Sequence, residues 1–258
     1  MPNAFPIMPR RLPVALLALA AMACGTTDAA DPLQPTGTTG RVRFVNVITD
    51  TTRGRVNAIL EGVPFGVNLT YTLSTPATLP APNTANYAAV LSGNRSLVLK
   101  RTADTAVTVA TLAFTVGASE DRTVYAIGGA AGSAVTAFVT TDTNTTPAAG
   151  QVRVRVVHLA PTAGNVDVFV TTPGADLAAA TPTLSGVPYR GVSGYLTVAA
   201  GTYQVRVVPA GTAAAARAAN VAINVASLAL PALGNRTIVA ADNATGGAPL
   251  RAFVLTDR

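Results

Sequence analysis

The second half of the chain repeats the first. Gly40-Arg-Val-Arg-Phe-Val-Asn46 parallels Gln151-Val-Arg-Val-Arg-Val-Val-His158, and Val109-Ala-Thr-Leu-Ala-Phe114 parallels Val225-Ala-Ser-Leu-Ala-Leu230. Arg122-Thr-Val answers to Arg236-Thr-Ile, and both copies close alike, with Phe138-Val-Thr-Thr-Asp142 against Phe253-Val-Leu-Thr-Asp257. The offset of about 112 to 116 residues is the size of an ordinary domain. The chain must therefore be built from one fold used twice, over 40–142 and 150–258, with 143–149 as a short linker.

Inside each copy the pattern has period two. Val152, Val154 and Val156 alternate with Arg153 and Arg155, and Val205 and Val207 with Gln204 and Arg206. Such alternation predicts half-buried antiparallel strands, with valines in a core and guanidinium groups in water. Runs at 41–48, 55–60, 87–91, 96–100, 106–115, 122–128 and 134–140 predict about seven strands in the first copy. Matching runs begin at 152, 165, 194, 202, 220, 236 and 250 in the second. Seven short strands in about 100 residues predict an all-β chain of two tandem immunoglobulin-like sandwiches. With no Trp and one Cys, stability is expected from aliphatic packing alone. The alanine-rich run Ala213–Ala219, after the potential cap Thr212, predicts a short helical turn before the strand at 221–230.

The net charge of +6 falls to +4 once Arg10 and Arg11 are set aside as part of a removed leader, and the remaining excess is scattered. A reader of nucleic acid gathers its positive charge into a patch, so no nucleic-acid partner is expected. Residues 1–23 have the layout of a secretory leader, with Arg10 and Arg11 before the apolar stretch Leu12–Ala20. Ala21-Met22-Ala23-Cys24 resembles a bacterial lipobox, in which signal peptidase II cuts before a cysteine bearing a diacylglyceryl thioether. Cys24 is the only cysteine, so an internal disulfide is impossible and lipidation at Cys24 is the economical expectation. Two or three acyl chains would anchor the protein to a membrane, and Gly25 after the cysteine leans towards the outer membrane. Residues 24–39, rich in Thr, Pro, Gly and Asp, read as a flexible tether.

The second copy also carries Val156-Val-His158-Leu-Ala-Pro161, then Val166-Asp167-Val-Phe-Val170, Ser193-Gly-Tyr195 and Ala200-Gly-Thr-Tyr203. In these it resembles the bacterial family called domain of unknown function 4397. The first copy is a degenerate relative, with Asn46 for His158, Asn57 for Asp167, and Tyr87 and Gly93 kept. The resemblance implies exported or surface-attached sandwich modules and brings no activity with it.

The candidate site residues are His158 and Asp167, with Ser193 as a conceivable third member of a Ser-His-Asp set. Replacement of His158 and Asp167 by Asn in the first copy keeps hydrogen bonding and loses acid–base chemistry, which favours a structural pair over catalysis. No metal or cofactor is expected, because one His and a lipidated Cys make no zinc set and no calcium loop is spelled out. Asp142 and Asn144 at the junction read as solvated linker residues, and Arg41 with Arg43 and Arg153 with Arg155 as exposed strand faces. The expectation is a non-enzymatic cell-envelope lipoprotein, spacer or binding module for an envelope protein or glycan. The alternative is an envelope hydrolase using His158 and Asp167.

Overall fold

The computed structural model describes residues 37–76 and 86–258. The expected leader, Cys24 and most of the tether lie outside the described residues. The first copy holds strands β1 (Thr39–Ile48), β2 (Val56–Leu60), β3 (Val63–Leu69), β4 (Ser74–Thr75), β5 (Ala88–Leu91), β6 (Gly93–Arg101), β7 (Asp104–Val116), β8 (Asp121–Gly128) and β9 (Val135–Asp142). The second holds β10 (Gln151–Leu159), β11 (Val166–Thr171), β12 (Leu184–Val187), β13 (Leu196–Ala199), β14 (Gly201–Pro209), β15 (Ile223–Leu230), β16 (Asn235–Ala241) and β17 (Arg251–Thr256).

Each copy is a two-sheet sandwich. In the first, a sheet of order β3-β2-β6-β7 packs on one of order β4-β1-β8-β9, with β5 also paired to β1. The second repeats this as β12-β11-β14-β15 on β13-β10-β16-β17. The all-β tandem-sandwich expectation holds, with one refinement of the strand pairing. Most ladders are antiparallel, but β1 runs parallel to β8, and β10 to β16, at the centre of each inner sheet.

The two inner sheets face each other. On β1, Val42, Phe44 and Ile48 enter the first sandwich core, while Val45 and Val47 point the other way, into a cluster shared with the second copy. On β10, Val152, Val154 and Val156 fill the second core, and Val157 and Leu159 join the shared cluster. Tyr125 and Ile127 of β8 and Val239 and Ala241 of β16 complete it, with Phe138 and Phe253 packed against it. Burying apolar surface on both faces makes the central strands continuously buried, as in sheets covered on two sides.

Three strands lie outside the predicted runs: β3, β4 and β12. The alanine-rich segment forms a 3-10 turn over Ala214–Asn220 and β15 follows it, as expected. Among the described residues no helix is long and apolar enough to cross a membrane.

Candidate functional site

The structure does not join His158 to Asp167. His158 sits on the inner-sheet strand β10, and its Nε2 donates to the Gly164 carbonyl at 2.8 Å, while Nδ1 accepts the Ala160 N–H at 3.4 Å. Its ring meets Tyr189 edge-on with centroids 6.5 Å apart. Burial pushes its proton affinity down; the bond to Gly164 and the charge of Asp242 only partly offset this. Asp167 belongs to the outer sheet and accepts the Gly186 N–H at 2.8 Å. Ser193 is engaged with backbone: its Oγ accepts the Val156 N–H at 2.9 Å and donates to the Gly194 carbonyl at 2.8 Å.

The first copy shows what these bonds are for. Asn46 donates to the carbonyls of Gly54 and Leu69, and its Oδ1 accepts the Ile48 N–H, two residues on. That is the pattern of His158 with Gly164 and Ala160. Asn57 accepts the Asn68 N–H of the neighbouring strand, as Asp167 accepts Gly186. At both positions the side chain ties strand to loop by atoms that Asn supplies as well as His or Asp.

The polar constellation of the molecule lies elsewhere, between the copies, and corrects the expectation that Arg43 and Arg155 face water. Both are 2% exposed. From Arg43, Nη2 donates to Asp257 Oδ1 of the other copy at 2.6 Å, Nη1 donates to the Thr256 carbonyl at 2.8 Å, and Nε donates to Thr123 at 3.1 Å. Arg155 mirrors it, with Nη2 on Asp142 Oδ1, Nη1 on the Thr141 carbonyl at 2.9 Å and Nε on Thr237 at 2.8 Å. The Thr123 hydroxyl donates to Asp142, and the Thr237 hydroxyl to Asp257 at 2.6 Å. The six side chains close a ring: Arg43, Thr123, Asp142, Arg155, Thr237, Asp257 and back to Arg43. Tyr87 donates into it on Asp142 at 2.7 Å and Tyr195 on Asp257 at 3.0 Å, each from the aspartate's own copy. Arg43 lies 4.6 Å from the centroid of Tyr87, and Arg155 4.9 Å from that of Tyr195.

Electrostatics follow from this geometry. Burial would pull the Arg43 guanidinium down, but Tyr87, Asp257, Tyr125 and Asp142 together outweigh it and hold it above its ordinary value. Arg155 behaves alike, burial opposed chiefly by Asp142, with Tyr125, Tyr195 and Asp257 adding to it. Burial, foremost, raises Tyr87 and Tyr195 and keeps them neutral donors. The cluster is thus two cations, two anions and neutral donors. It offers no unpaired base or nucleophile. Asp142 is accordingly no solvated linker residue, and aliphatic packing is not the sole source of stability. Among the described residues no group of three or more His, Cys, Asp or Glu could hold a metal.

A second polar contact joins the copies. Tyr71 donates to the Asp242 carbonyl, and Asp242 accepts from Thr162 at 2.7 Å and from the Gly247 N–H at 3.0 Å. The ring thus joins the middles of β1 and β10, and a second contact joins the β3–β4 loop of the first copy to Asp242 after β16.

Sequence reasoning missed the ring, although its signal was present. Arg43 and Arg155, Thr123 and Thr237, Asp142 and Asp257, and Tyr87 and Tyr195 are identical between the copies, whereas His158 and Asp167 are not matched in kind.

Comparison with known proteins bears on the fold. No curated protein matches the chain. Among solved structures it is similar to one described as alpha-glucan recognition by family 41 carbohydrate-binding modules from streptococcal virulence factors. That likeness has 10% identity and a TM-score of 0.26, over 79% of this chain and 94% of that one. It is also similar to a leucine-rich repeat protein from Bacteroides thetaiotaomicron VPI-5482, at 15% identity and a TM-score of 0.18, over 80% of this chain and 26% of that one. Likenesses this slight carry no inference about ligand or activity. A family model described as Domain of unknown function (DUF4397) matches twice, over residues 40–169 and 170–258, its internal boundary falling within β11. A repeated all-β chain matched twice in succession by one family model, together over residues 40–258, belongs to that family, DUF4397.

Proposed function

We propose that this protein is a non-enzymatic lipoprotein of the cell envelope, held to the membrane through Cys24, whose paired sandwiches serve as a stiff spacer or as a binding body for an envelope protein or glycan. The observation that carries this reading is the buried ring with its shared apolar cluster, which joins the copies across a face instead of through the linker alone. Thr39 opens β1, and the loops that follow β1 and β10 lie at the opposite ends of those strands. Ten residues of β1 at about 3.3 Å each set those loops roughly 30 Å beyond the point of attachment. Loops held by a rigid scaffold are where recognition is usually carried.

The experiment is envelope fractionation with fatty-acid labelling. Cys24→Ala, or an inhibitor of signal peptidase II, is expected to abolish labelling and release the protein from the membrane fraction. Unchanged membrane retention with no label on the native chain would overturn the anchor. A spacer role predicts that lengthening 24–39 compensates for loss of one copy in reach-dependent phenotypes, whereas a binding role predicts that loop substitutions abolish capture of a single envelope partner.

The hydrolase alternative turns on His158. With one ring nitrogen donating to Gly164 and the other accepting from Ala160, the imidazole is committed to backbone. His158→Asn is expected to fold and to leave envelope function intact, as the Asn46 arrangement of the first copy supports. Loss of function with unchanged stability would restore the catalytic reading.

A further inference from the structure

We infer that the inner-sheet face of each copy is a self-recognising docking surface whose partner is another copy of the same fold, satisfied here within one chain, so that the two copies fold as a single mutual unit. This stands apart from the envelope reading, because it needs neither the anchor nor a ligand.

Three observations carry it. First, the contact is reciprocal. Each copy uses its own Tyr and Thr to orient its own aspartate, Tyr87 and Thr123 on Asp142, Tyr195 and Thr237 on Asp257, and presents that aspartate to the arginine of the other copy. The closer ion pair of each arginine is therefore the foreign one. Arg43 is 2.6 Å from Asp257 but 3.6 Å from Asp142 of its own copy. Reciprocity of this kind, in which a surface meets its own counterpart, is what defines an isologous interface. Second, the faces are apolar behind the ring. Val45, Val47, Tyr125 and Ile127 would be uncovered on one side by separation, and Val157, Leu159, Val239 and Leu255 on the other. A contiguous apolar sheet face is rare on the surface of a soluble monomer and marks a site of contact. Third, recognition is specific and not merely sticky. A mispaired apolar surface would strand two guanidinium groups and two carboxylates away from water, a strongly unfavourable state.

The test uses the whole chain. With a protease site inserted between Ala148 and Ala149 and then cut, the two halves are expected to elute as one species under native conditions. Separation of the halves would overturn the docking surface. Calorimetry of the intact protein is expected to show one transition with equal calorimetric and van't Hoff enthalpies. Two resolved transitions would overturn mutual folding. Asp257→Asn, placed in the second copy, is expected to speed hydrogen exchange of β1 and β8 amides in the first copy at least tenfold. Unchanged exchange there, with β16 and β17 opened, would also overturn it. If Asp257→Asn fails to fold, the cut wild-type chain and its calorimetry decide the matter.

Discussion

His158 and Asn46 perform one task with two chemistries, and the difference between them is measurable. Burial holds the His158 imidazole below its ordinary value of 6.5. Between the two values the unfolded chain binds the more protons, so stability rises as pH climbs through that window and is reduced below it. His158 is the only histidine. His158→Asn should therefore flatten the stability profile as pH falls through 6.5 and below, a difference that urea unfolding at several pH values would record. Tyr125 presents a second residue-level case. It is fully buried against Phe138, with ring centroids 6.1 Å apart, and its hydroxyl has no hydrogen-bond partner among the described residues. The second copy has Val239 in the equivalent position. Tyr125→Phe removes an unsatisfied polar group and should raise stability by about 1 kcal/mol in chemical denaturation.

At the level of elements, all but three strands were legible, by alternation in β10 and β14 and elsewhere as short apolar runs between turn residues. The runs at 41–48 and 122–128, and those starting at 152 and 236, coincide with β1, β8, β10 and β16. Their pairing was not legible, because alternation has no direction and cannot tell a parallel neighbour from an antiparallel one. Nor could it tell that the second face of β1 and β10 meets protein. A valine–arginine alternation looks half-exposed whether the arginine meets water or an aspartate. β3 carries Pro64 and Gly66 and pairs through register shifts, and β12 bends at Gly186 with φ of 61°, so both read as breaks. The segment between β11 and β12 was also unpredicted. It folds back over the second outer sheet, where Leu177 packs with Phe169 and Val208. Arg206 holds it through the Ala175 carbonyl at 2.8 Å, and Arg217, above the Phe169 ring, through Ala180 at 2.7 Å. Leu177→Ala should cost about 2–5 kcal/mol, read from a shifted urea midpoint.

For the whole molecule, the balance of forces depends on where charge sits. Arg41 pairs with Asp121 at 2.6 Å; its side chain is 55% exposed and the buried Asp121 also accepts from Asn144, so Arg41→Ala should cost about 1 kcal/mol. Asp257→Ala strands Arg43 inside the molecule and should cost about 3–5 kcal/mol in equilibrium unfolding. Raising salt should erode the first contribution and leave the second nearly intact, since ions reach only the former. The candidate site was legible only as a repeat. The residues that matter are spread from 43 to 257, and no local motif brings them together before the fold does.

The span of that ring also sets a clock. Arg43 and the carboxylate that neutralises it are separated by 214 positions in the chain. Synthesis delivers the guanidinium first and its counter-charge last, so the ring can close only once nearly the whole chain is present.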